Sequence, residues 1–477
     1  MASTLPPTQA PANQEYAGDE INALILDPGS YSTRAGFAGE DTPKSVVPSS
    51  YAVRDGSKLF GENAIHLYQP GLEIRNPYNS DGIVDDWDTA SRLWEYSVTS
   101  RLTGSRQTPP SRNGLNNLSE QEKKDAEGDT AMDLDEQAEQ LDDQEKVLGE
   151  YPLLMSEPAW NPQKAREKTM EIAMEEWGVP AFFLAKNGQL AAYSQGKATA
   201  LVIDIGHLNT SITALWEGMV LKKGCVHTPL AGNWINEQLR LMFSSMSAPL
   251  TPHFMVKTKQ PVDAGAPSNA TYIQFPKPPT DSFRRLEEER VLTAFKESVV
   301  QAWGGPSRLE NGPSQGATTN ADYVRSLPPK PFEMPDGWNQ VFGIERFKVA
   351  EGLFDSAAAY TDASHPAPSG EQTIVSAAKN AINACDVDTR PHLMNNIILT
   401  GAGSLIAGLP ERIQSDLQAL FPNPKIRVIA NSNSVERKYG GWIGGSVLGS
   451  LGTFHQMWIS RQEYEEFGAA IIEKRCK

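Results

Sequence analysis

Two short segments of the chain combine a carboxylate with a glycine directly after an apolar run. The first contains Asp27 and Gly29, and the second contains Asp204 and Gly206. The carboxylate of such an Asp-x-Gly segment can hold the hydration shell of Mg²⁺, which keeps several of its waters. The glycine lets backbone N–H groups approach phosphate oxygens without interference from a Cβ atom. Two such turns facing each other would clamp a triphosphate, with Asp27 and Asp204 holding the cation through water.

A third glycine-rich turn lies near the C-terminal end of the chain. It contains Gly401, Ala402 and Gly403, and it follows a strand pattern and precedes a helix pattern. The α-phosphate or the sugar of a nucleotide could lie against the backbone there. Each of the three turns taken alone is more often an ordinary turn. Their order and context as a set predict a nucleotide site.

The elements that must position these turns can be predicted from apolar patterning. Continuous apolar runs at 23–26 and 200–205 favour buried strands, because each run is short and ends in turn residues. Helices are predicted after Asp86 and after Asn161, which is placed as the N-cap with Pro162 in the first turn. Further strand and helix patterns alternate at 396–399, 407–420, 426–429 and 442–457. This alternation indicates an α/β architecture.

Length and composition limit the class of protein. A chain of 477 residues exceeds what one hydrophobic core usually supports, so two lobes are expected. The net charge of −16 argues against tight, sequence-independent binding to DNA by the whole surface. Three widely separated cysteines indicate a reducing compartment. Since no apolar run reaches the roughly 18 residues of a membrane span, no membrane partner is expected, and cytosol or nucleus remains.

Several segments lack the periodicity of folded elements. Residues 1–20 are predicted to be a disordered tail, and 103–149, 244–280 and 304–320 are predicted to be loop insertions. Between residues 120 and 146 there are 12 acidic and 3 basic side chains, a balance of −9. A solvated loop is the simpler interpretation of this acidic segment, and a histone-binding patch is the alternative.

Longer stretches of the sequence resemble actin. Residues 30–41, and in particular 34–41, are similar to the first phosphate loop, and residues 435–439, 442–446 and 454–464 are similar to the C-terminal region. The chain is therefore identified as a member of the actin family. The resemblance implies an α/β, actin-like fold (the actin/Hsp70/hexokinase ATPase fold) with two lobes and four subdomains around a nucleotide cleft. It also implies bound ATP with Mg²⁺ or Ca²⁺.

The resemblance also implies a division of the chain. Residues 21–190 would form the first lobe, 191–430 the second, and 431–477 a segment that returns to the first. A chain between Ser57 and Asp81 that is shorter than in actin, together with the insertions, predicts a protein that forms no homopolymer.

Within the family, four segments resemble the fourth class of nuclear actin-related proteins. These segments are 18–20, 29–31, 180–184 and 350–355. That class is shared by INO80- and SWR1-type remodellers and NuA4-type histone acetyltransferases. The resemblance implies a nuclear location and, as partners, nuclear actin, a scaffold helix of the helicase–SANT-associated (HSA) type, and histones or nucleosomes.

Nucleotide-binding residues carry over from the family by position. Arg34 stands where actin has a lysine, which preserves a cation for phosphate with a different, forked geometry. The full implied set is Asp27, Gly29, Ser30, Arg34, Asp204, Gly206, Lys296, Glu297, Gly401, Ala402, Leu405 and Lys438.

The positions that would prepare water for attack on ATP differ from those of actin. Asn187 and Ser211 stand where actins have a glutamine and a histidine. Asn187 is one methylene shorter, and Ser211 has no imidazole for proton transfer, a kind of help commonly worth about 10²–10⁴-fold. His207 and Leu208 also alter the second turn. The sequence predicts an ATP binder with little or no hydrolysis; the alternative is an ATPase whose nucleotide state switches partner binding.

A groove between the two lower subdomains accepts partner helices in the actin family. Leu448 and Leu451 are predicted to lie on one face of a helix at 442–457, with Met219 as an adaptable apolar contact. Core packing is the alternative role for the two leucines. The full set of implied groove residues is Tyr193, Gly196, Gly218, Met219, Leu448, Leu451, Thr453 and Met457.

Overall fold

A computed structural model of the chain describes residues 22–103, 148–305, 309 and 320–477. Three predicted segments therefore lie wholly or mostly outside the described residues: the tail 1–20, the acidic insertion 103–149 and the insertion 304–320. In the described ranges, no helix has both the length and the apolar character needed to cross a membrane.

The strands are mostly short, and those nearest the centre of each lobe are almost fully buried. In chain order they are β1 (Leu24–Pro28), β2 (Ser32–Phe37), β3 (Ser45–Pro48), β4 (Tyr51–Arg54), β5 (Ser57–Leu59), β6 (Glu73–Arg75), β7 (Leu153–Glu157), β8 (Ala181–Lys186), β9 (Ala200–Ile205), β10 (Thr210–Trp216), β11 (Met219–Thr228), β12 (Val256–Thr258), β13 (Thr271–Tyr272), β14 (Lys330–Glu333), β15 (Asn339–Phe342), β16 (Ile397–Thr400), β17 (Val428–Ala430) and β18 (Ile459–Ser460).

The α-helices pack around these strands, and short 3₁₀ or π segments extend several of them. In chain order they are α1 (Glu62–His66), α2 (Trp87–Val98), α3 (Gln163–Glu171), α4 (Asn187–Ser194), α5 (Gly232–Ser245), α6 (Asp281–Ser298), α7 (Asn320–Ser326), α8 (Glu345–Glu351), α9 (Ile374–Ala384), α10 (Arg390–Met394), α11 (Leu409–Leu420), α12 (Ser434–Lys438), α13 (Gly440–Gly449), α14 (Arg461–Phe467) and α15 (Ile472–Arg475).

Two sheets form the centres of two lobes. The first has the strand order β18-β8-β7-β1-β2-β3, and the second has the order β11-β10-β9-β16-β17. In each sheet a central strand forms an antiparallel hairpin with the next strand and pairs in parallel with a later one. The hairpins β1–β2 and β9–β10 are therefore equivalent elements of the two lobes, and an Asp-x-Gly turn joins the strands of each.

Each large sheet has its own hydrophobic core. The first-lobe core includes Trp94, Trp177 and Trp442, all buried. The second-lobe core includes Phe243 and Phe295, whose ring centroids lie 5.0 Å apart. Separate cores of this size agree with the expectation that a chain of this length exceeds a single core.

Helices α4 and α13 pack together between the two sheets through glycines. A Cβ atom on Gly444 would overlap the carbonyl oxygen of Leu190 in α4, and one on Gly441 would overlap Asn187 Oδ1. Only glycine allows two helix backbones to approach this closely. Because Asn187 is the first residue of α4, this contact fixes a predicted site residue.

Two predicted helix boundaries are wrong. The helix predicted at 442–457 ends at Gly449, where Leu451 adopts an extended conformation before a separate 3₁₀ turn at Gly452–Gln456. Glycine is about 1 kcal/mol less favourable than alanine in a helix. The glycines of this region therefore weaken the helix that its apolar pattern predicts. The residue predicted as an N-cap, Asn161, donates from Nδ2 to Glu157 Oε2 at 2.8 Å instead, and Pro162 takes the N-cap position of α3.

The segment 244–280, expected to be a loop insertion, contains regular structure. Its first two residues end α5, and β12 and β13 pair as an antiparallel ribbon. Phe254 and Phe275 of this segment pack together with ring centroids 5.6 Å apart. The sequence pattern missed these elements because each strand has only two or three residues.

Candidate nucleotide site

The two Asp-x-Gly turns are closed by equivalent backbone hydrogen bonds and differ in the charge of the residue that faces the aspartate. In the hairpin β1–β2, Asp27 lies opposite Arg34, and in the hairpin β9–β10, Asp204 lies opposite Ser211. The first carboxylate therefore has a cation as its cross-strand neighbour, and the second has an uncharged hydroxyl.

Asp27 is buried and already has protein partners. Arg34 Nη1 donates to Asp27 Oδ2 at 2.7 Å, and the hydroxyl of Ser156 donates to Asp27 Oδ1. Asp27 has only 3% of its surface exposed. Arg34 thus neutralises the first turn from within the same hairpin.

Asp204 is also placed in the cleft, with a different environment. Asn187 Nδ2 donates to Asp204 Oδ2 at 2.8 Å. Burial and, secondly, the negative charge of Asp27 raise the pKa of Asp204 to about 6, and Arg34 opposes both effects. A carboxylate whose ionisation is held back by burial and by a second carboxylate is chemically suited to a divalent cation, which would favour the ionised form.

The third glycine turn packs directly against the second. Gly401 has φ +86°, and a Cβ there would overlap Asp204 Oδ1 and the carbonyl of Ile205. Ala402 and Leu405 follow on a 3₁₀ turn at Ala402–Leu405 and are exposed. Only glycine can therefore occupy position 401, because any side chain there would separate the third turn from the second.

Tyr439 connects the third turn with the first. The Arg34 guanidinium lies 5.7 Å from the centre of the Tyr439 ring, and Lys438 Nζ lies 5.3 Å from it. The N–H group of Gly401 donates to the carbonyl of Arg437 at 2.9 Å. Lys438 is exposed, so its ammonium remains accessible beside the cleft.

The predicted pair on α6 lies at the second-lobe wall. Lys296 Nζ donates to the Gly232 carbonyl at 3.1 Å and to Asn236 Oδ1 at 2.8 Å. Burial lowers the pKa of Lys296 to about 8. Glu297, the next residue, is exposed. Lys296 is therefore held by its own lobe, whereas Glu297 faces solvent.

One contact between the phosphate turns was not anticipated. The rings of Tyr31 and His207, one from each turn, lie 5.0 Å apart at an interplanar angle of 55°. Burial, and secondly the positive charge of Lys296, lowers the pKa of His207 to about 4, so the imidazole is neutral near pH 7. The sequence identified His207 as an altered position. A bulky residue directly after the Gly29–Ser30 pair was the available signal for Tyr31.

The residues present fit a nucleotide with its divalent cation. The Nε atom of Arg34 is buried and has no hydrogen-bond partner among the described residues, so it retains a donor for an acceptor such as a phosphate oxygen. Asp27 and Asp204 supply oxygen donors, which Mg²⁺ and Ca²⁺ prefer. Gly29, Ser30 and Gly206 lie in the turns next to the two carboxylates, and Gly401 packs against Asp204. In the described part of the chain no group of three or more His, Cys, Asp or Glu could hold a metal ion.

Two of the predicted groove residues, Tyr193 and Gly218, contact each other, whereas several others are exposed to solvent. Tyr193 Oη donates to the carbonyl of Gly218 at 3.1 Å, and Gly196 and Gly218 both have positive φ. Leu448, at the end of α13, is partly buried against the first-lobe core, which agrees with the core-packing alternative. The large apolar side chains that remain exposed there are Met219 at 64%, Leu451 at 47% and Met457 at 46%, and Thr453 is exposed as well.

Comparison with known proteins identifies the class to which this fold and site belong. The family model described as Actin matches residues 18–477. The chain therefore belongs to the actin family, and the predicted α/β, actin-like fold is confirmed.

Individual relatives refine this assignment. The chain is 49% identical to actin-related protein 4 of Emericella nidulans, with 100% of both chains covered. It is 49% identical to actin-related protein 4 of Gibberella zeae, with 97% of each covered. It is also 33% identical to the SWI/SNF and RSC complexes subunit arp42 of Schizosaccharomyces pombe, over 96% of this chain and 100% of that protein. The predicted resemblance to the fourth class of actin-related proteins is confirmed.

Proposed function

We propose that this chain is a non-filamentous, ATP-binding actin-related subunit of nuclear chromatin-remodelling complexes, and that it hydrolyses ATP little or not at all. Its full-length similarity to proteins named actin-related protein 4, and to one named as a SWI/SNF and RSC complexes subunit, supports the assignment to such complexes. The observation that carries the proposal of weak hydrolysis is the Asn187–Asp204 hydrogen bond of 2.8 Å.

That hydrogen bond matters because Asn187 would be the residue that orients an attacking water. Its amide nitrogen donates to the Asp204 carboxylate instead, and its Oδ1 lies against Gly441. Ser211, the other position at which a water could be activated, has a hydroxyl with no basic group. Attack on a phosphoryl group needs a well-positioned water, so this arrangement favours retention of intact ATP.

The chain's own residues would hold the nucleotide in distinct ways. Asp27 and Asp204 would hold Mg²⁺ or Ca²⁺ through water, and the cation would neutralise the phosphates between the lobes. Arg34 would place a fixed positive charge beside the phosphates. Binding to the native state alone stabilises that state by mass action, whether or not the ligand turns over.

The partners proposed for this subunit are nuclear actin, an HSA-type scaffold helix and histones or nucleosomes. The exposed Met219, Leu451 and Met457 support a site for an amphipathic helix, because such helices dock through apolar anchors in a groove. The acidic segment between residues 120 and 146 supports contact with basic histones.

The test of ATP retention is to purify the protein without added nucleotide, denature it, and identify what was bound. We expect mostly intact ATP, still present after hours with Mg²⁺. Mostly ADP with released phosphate would overturn the proposal and favour the second candidate function, an ATPase that switches partner binding. An empty cleft would overturn the proposal of ATP binding and would direct attention to His207 and Leu208, which alter the second turn.

Restoring side chains at the two altered positions gives an independent measurement. The double variant Asn187→Gln, Ser211→His should gain phosphate release of about 10²-fold or more, because it regains a longer amide and an imidazole. Each single variant serves as a control and should gain less. If the wild type itself releases phosphate over many turnovers, at a rate that the double variant does not exceed, the protein is an ATPase.

A further inference from the structure

A small aromatic cluster joins the two lobes. Tyr68 follows α1 in the first lobe, whereas Phe254, Phe275 and Phe283 belong to the second lobe. The ring centroid of Tyr68 lies 4.5 Å from that of Phe275, 6.0 Å from that of Phe283 and 6.2 Å from that of Phe254. These four residues are called the aromatic clasp below.

The clasp surrounds a shared apolar core. Phe283 is 1% exposed and clusters with Ala52, Ile65 and Leu72, which come from the small sheet β5-β4-β6 and the residues around it. Phe254 packs against the same cluster with its ring 5.0 Å from Phe283. Parting the lobes here would expose apolar surface from both sides, which is unfavourable in water.

Hydrogen bonds between the lobes reinforce the apolar contact. Tyr68 Oη donates to the Lys277 carbonyl at 2.5 Å, and the N–H of Ile74 donates to Ser282 Oγ at 3.0 Å. The hydroxyl of Thr280 also contacts the carbonyl of Leu72. Two of these three contacts satisfy a backbone group of the first lobe, so opening would leave those groups to find water.

An ion-pair geometry lies at the same junction. His66 Nδ1 is 2.6 Å from Glu287 Oε1, and Glu287 is 3% exposed. Glu287 lies one helical turn after Phe283 on α6, so this contact and the aromatic clasp act on the same face of the helix.

The position of the clasp relative to the nucleotide site follows from α6. This helix carries Phe283 near its start and the site residues Lys296 and Glu297 near its end, about 20 Å farther along. Elsewhere between the lobes, α4 and α13 pack backbone to backbone. The two lobes are therefore joined both by this helix packing and by the aromatic clasp.

We infer that the aromatic clasp holds the two lobes together and makes release of the bound nucleotide slow, so that the nucleotide behaves as a fixed part of the fold. This inference rests on the proposed function, since it requires a nucleotide in the cleft. It goes beyond absent hydrolysis, because a site can fail to hydrolyse ATP and still exchange it freely. The segment 244–280 contributes Phe254 and Phe275, which gives this insertion a role in retention.

The double variant Tyr68→Ala, Phe275→Ala tests the clasp. Both side chains are only partly buried, whereas Phe283, which is nearly inaccessible, is left unchanged so that the fold survives. The full-length protein is loaded with a fluorescent ATP analogue and chased with excess ATP in Mg²⁺. We expect release at least about tenfold faster than in the wild type, the factor that corresponds to about 1.4 kcal/mol.

Phe332→Ala is the matched control. Phe332 is a partly buried phenylalanine that packs 4.9 Å from Phe295 entirely within the second lobe. It should lower the unfolding temperature without changing analogue release. A folded double variant that releases at the wild-type rate would overturn the inference, and so would an equal acceleration in the control.

Hydrogen exchange separates failure of the clasp from failure of the proposed function. If the wild type contains no nucleotide, the proposed function fails, and the clasp is then tested by exchange of the Ile74 amide. This amide should be protected in the wild type and should exchange about tenfold faster in the double variant. Equal exchange in the two proteins would show that the clasp does not hold the lobes.

Discussion

At the scale of residues, the cleft depends on two carboxylates with unequal neighbours. Asp27 has Arg34 as its cross-strand partner, whereas Asp204 has Ser211. One charge is therefore balanced inside the hairpin, and the other depends on what enters the cleft. This asymmetry explains why burial and Asp27 can raise the pKa of Asp204 to about 6. A bound cation should therefore affect Asp204, in the second turn, more than Asp27.

His207 gives a prediction about pH. Its pKa is lowered from 6.5 to about 4 in the folded protein, mainly by burial. Between these two values the unfolded chain binds more protons, so the free energy of unfolding should rise with pH over this window. His207→Phe keeps a ring and removes the titration. The unfolding free energy of the wild type minus that of the variant should therefore rise from pH 4.5 to 6.5 by at most about 1.4 kcal/mol per pH unit.

Urea unfolding at matched nucleotide content measures that difference. Tyr31→Phe is the control, because it keeps the ring beside His207 and leaves the imidazole in place, so its slope should match the wild type. A pH-independent difference between wild type and His207→Phe would show that the imidazole titrates alike in both states.

The site could be predicted from sequence only as far as its local motifs extend. Asp27, Asp204 and Gly401 were found because each belongs to a short strand-to-turn pattern that sequence alone displays. The contact between Tyr31 and His207 joins residues from different lobes, and no local pattern encodes it. The Asn187–Asp204 hydrogen bond is of the same kind, since it depends on how α4 meets β9.

At the scale of elements, the close packing of α4 against α13 positions the cleft residues from both lobes. Gly440, Gly441, Gly444 and Gly445 are all buried on α13. Helix propensity alone argues against so many glycines, because each is about 1 kcal/mol less favourable than alanine. Their presence is explained by backbone approach, which packing rather than propensity demands.

Gly444→Ala tests this explanation. The added methyl group would overlap the Leu190 carbonyl oxygen, which belongs to the α4 backbone and cannot rotate away. We expect a loss of about 1–3 kcal/mol in the free energy of unfolding, as for other overpacked interiors. Chemical denaturation at pH 7 measures the loss.

The control for this variant is Gly370→Ala, a change of the same size at a glycine whose Cβ would meet no atom within 4 Å. It should change stability by no more than about 0.5 kcal/mol. A Gly444→Ala protein as stable as this control would show that the helices can move apart without cost.

Elements were predictable where local signals agreed. Helix α2 begins after Asp86 as expected, because the Asp86 side chain accepts a hydrogen bond from the N–H of Thr89 at 3.1 Å. The end of α13 was not predictable, since the apolar pattern continues past Gly449, where the helix ends before the extended Leu451. The ribbon β12–β13 was missed because its strands have only three and two residues, too few to show a period.

At the scale of the whole molecule, charge is distributed unevenly. The chain has a net charge of −16, and the stretch from residue 120 to residue 146 contributes −9 of it. The remaining −7 is spread over the other 450 residues. Any electrostatic attraction for basic proteins should therefore be concentrated in this short stretch, because exposed charges farther apart than about 8 Å are largely screened at physiological salt.

Neutralising this stretch tests whether it binds histones. Replacing its 12 acidic residues with the corresponding amides keeps the length of the segment and changes the net charge of the chain from −16 to −4. Binding to histone H3–H4 should weaken at least about tenfold and should lose most of its dependence on salt, because clustered charge steers and holds a basic partner. A control with the same stretch in scrambled order keeps every charge and should bind like the wild type. Equal affinity of the neutralised and wild-type proteins would instead assign the stretch to a solvated loop, and histone contact would have to come from the folded lobes.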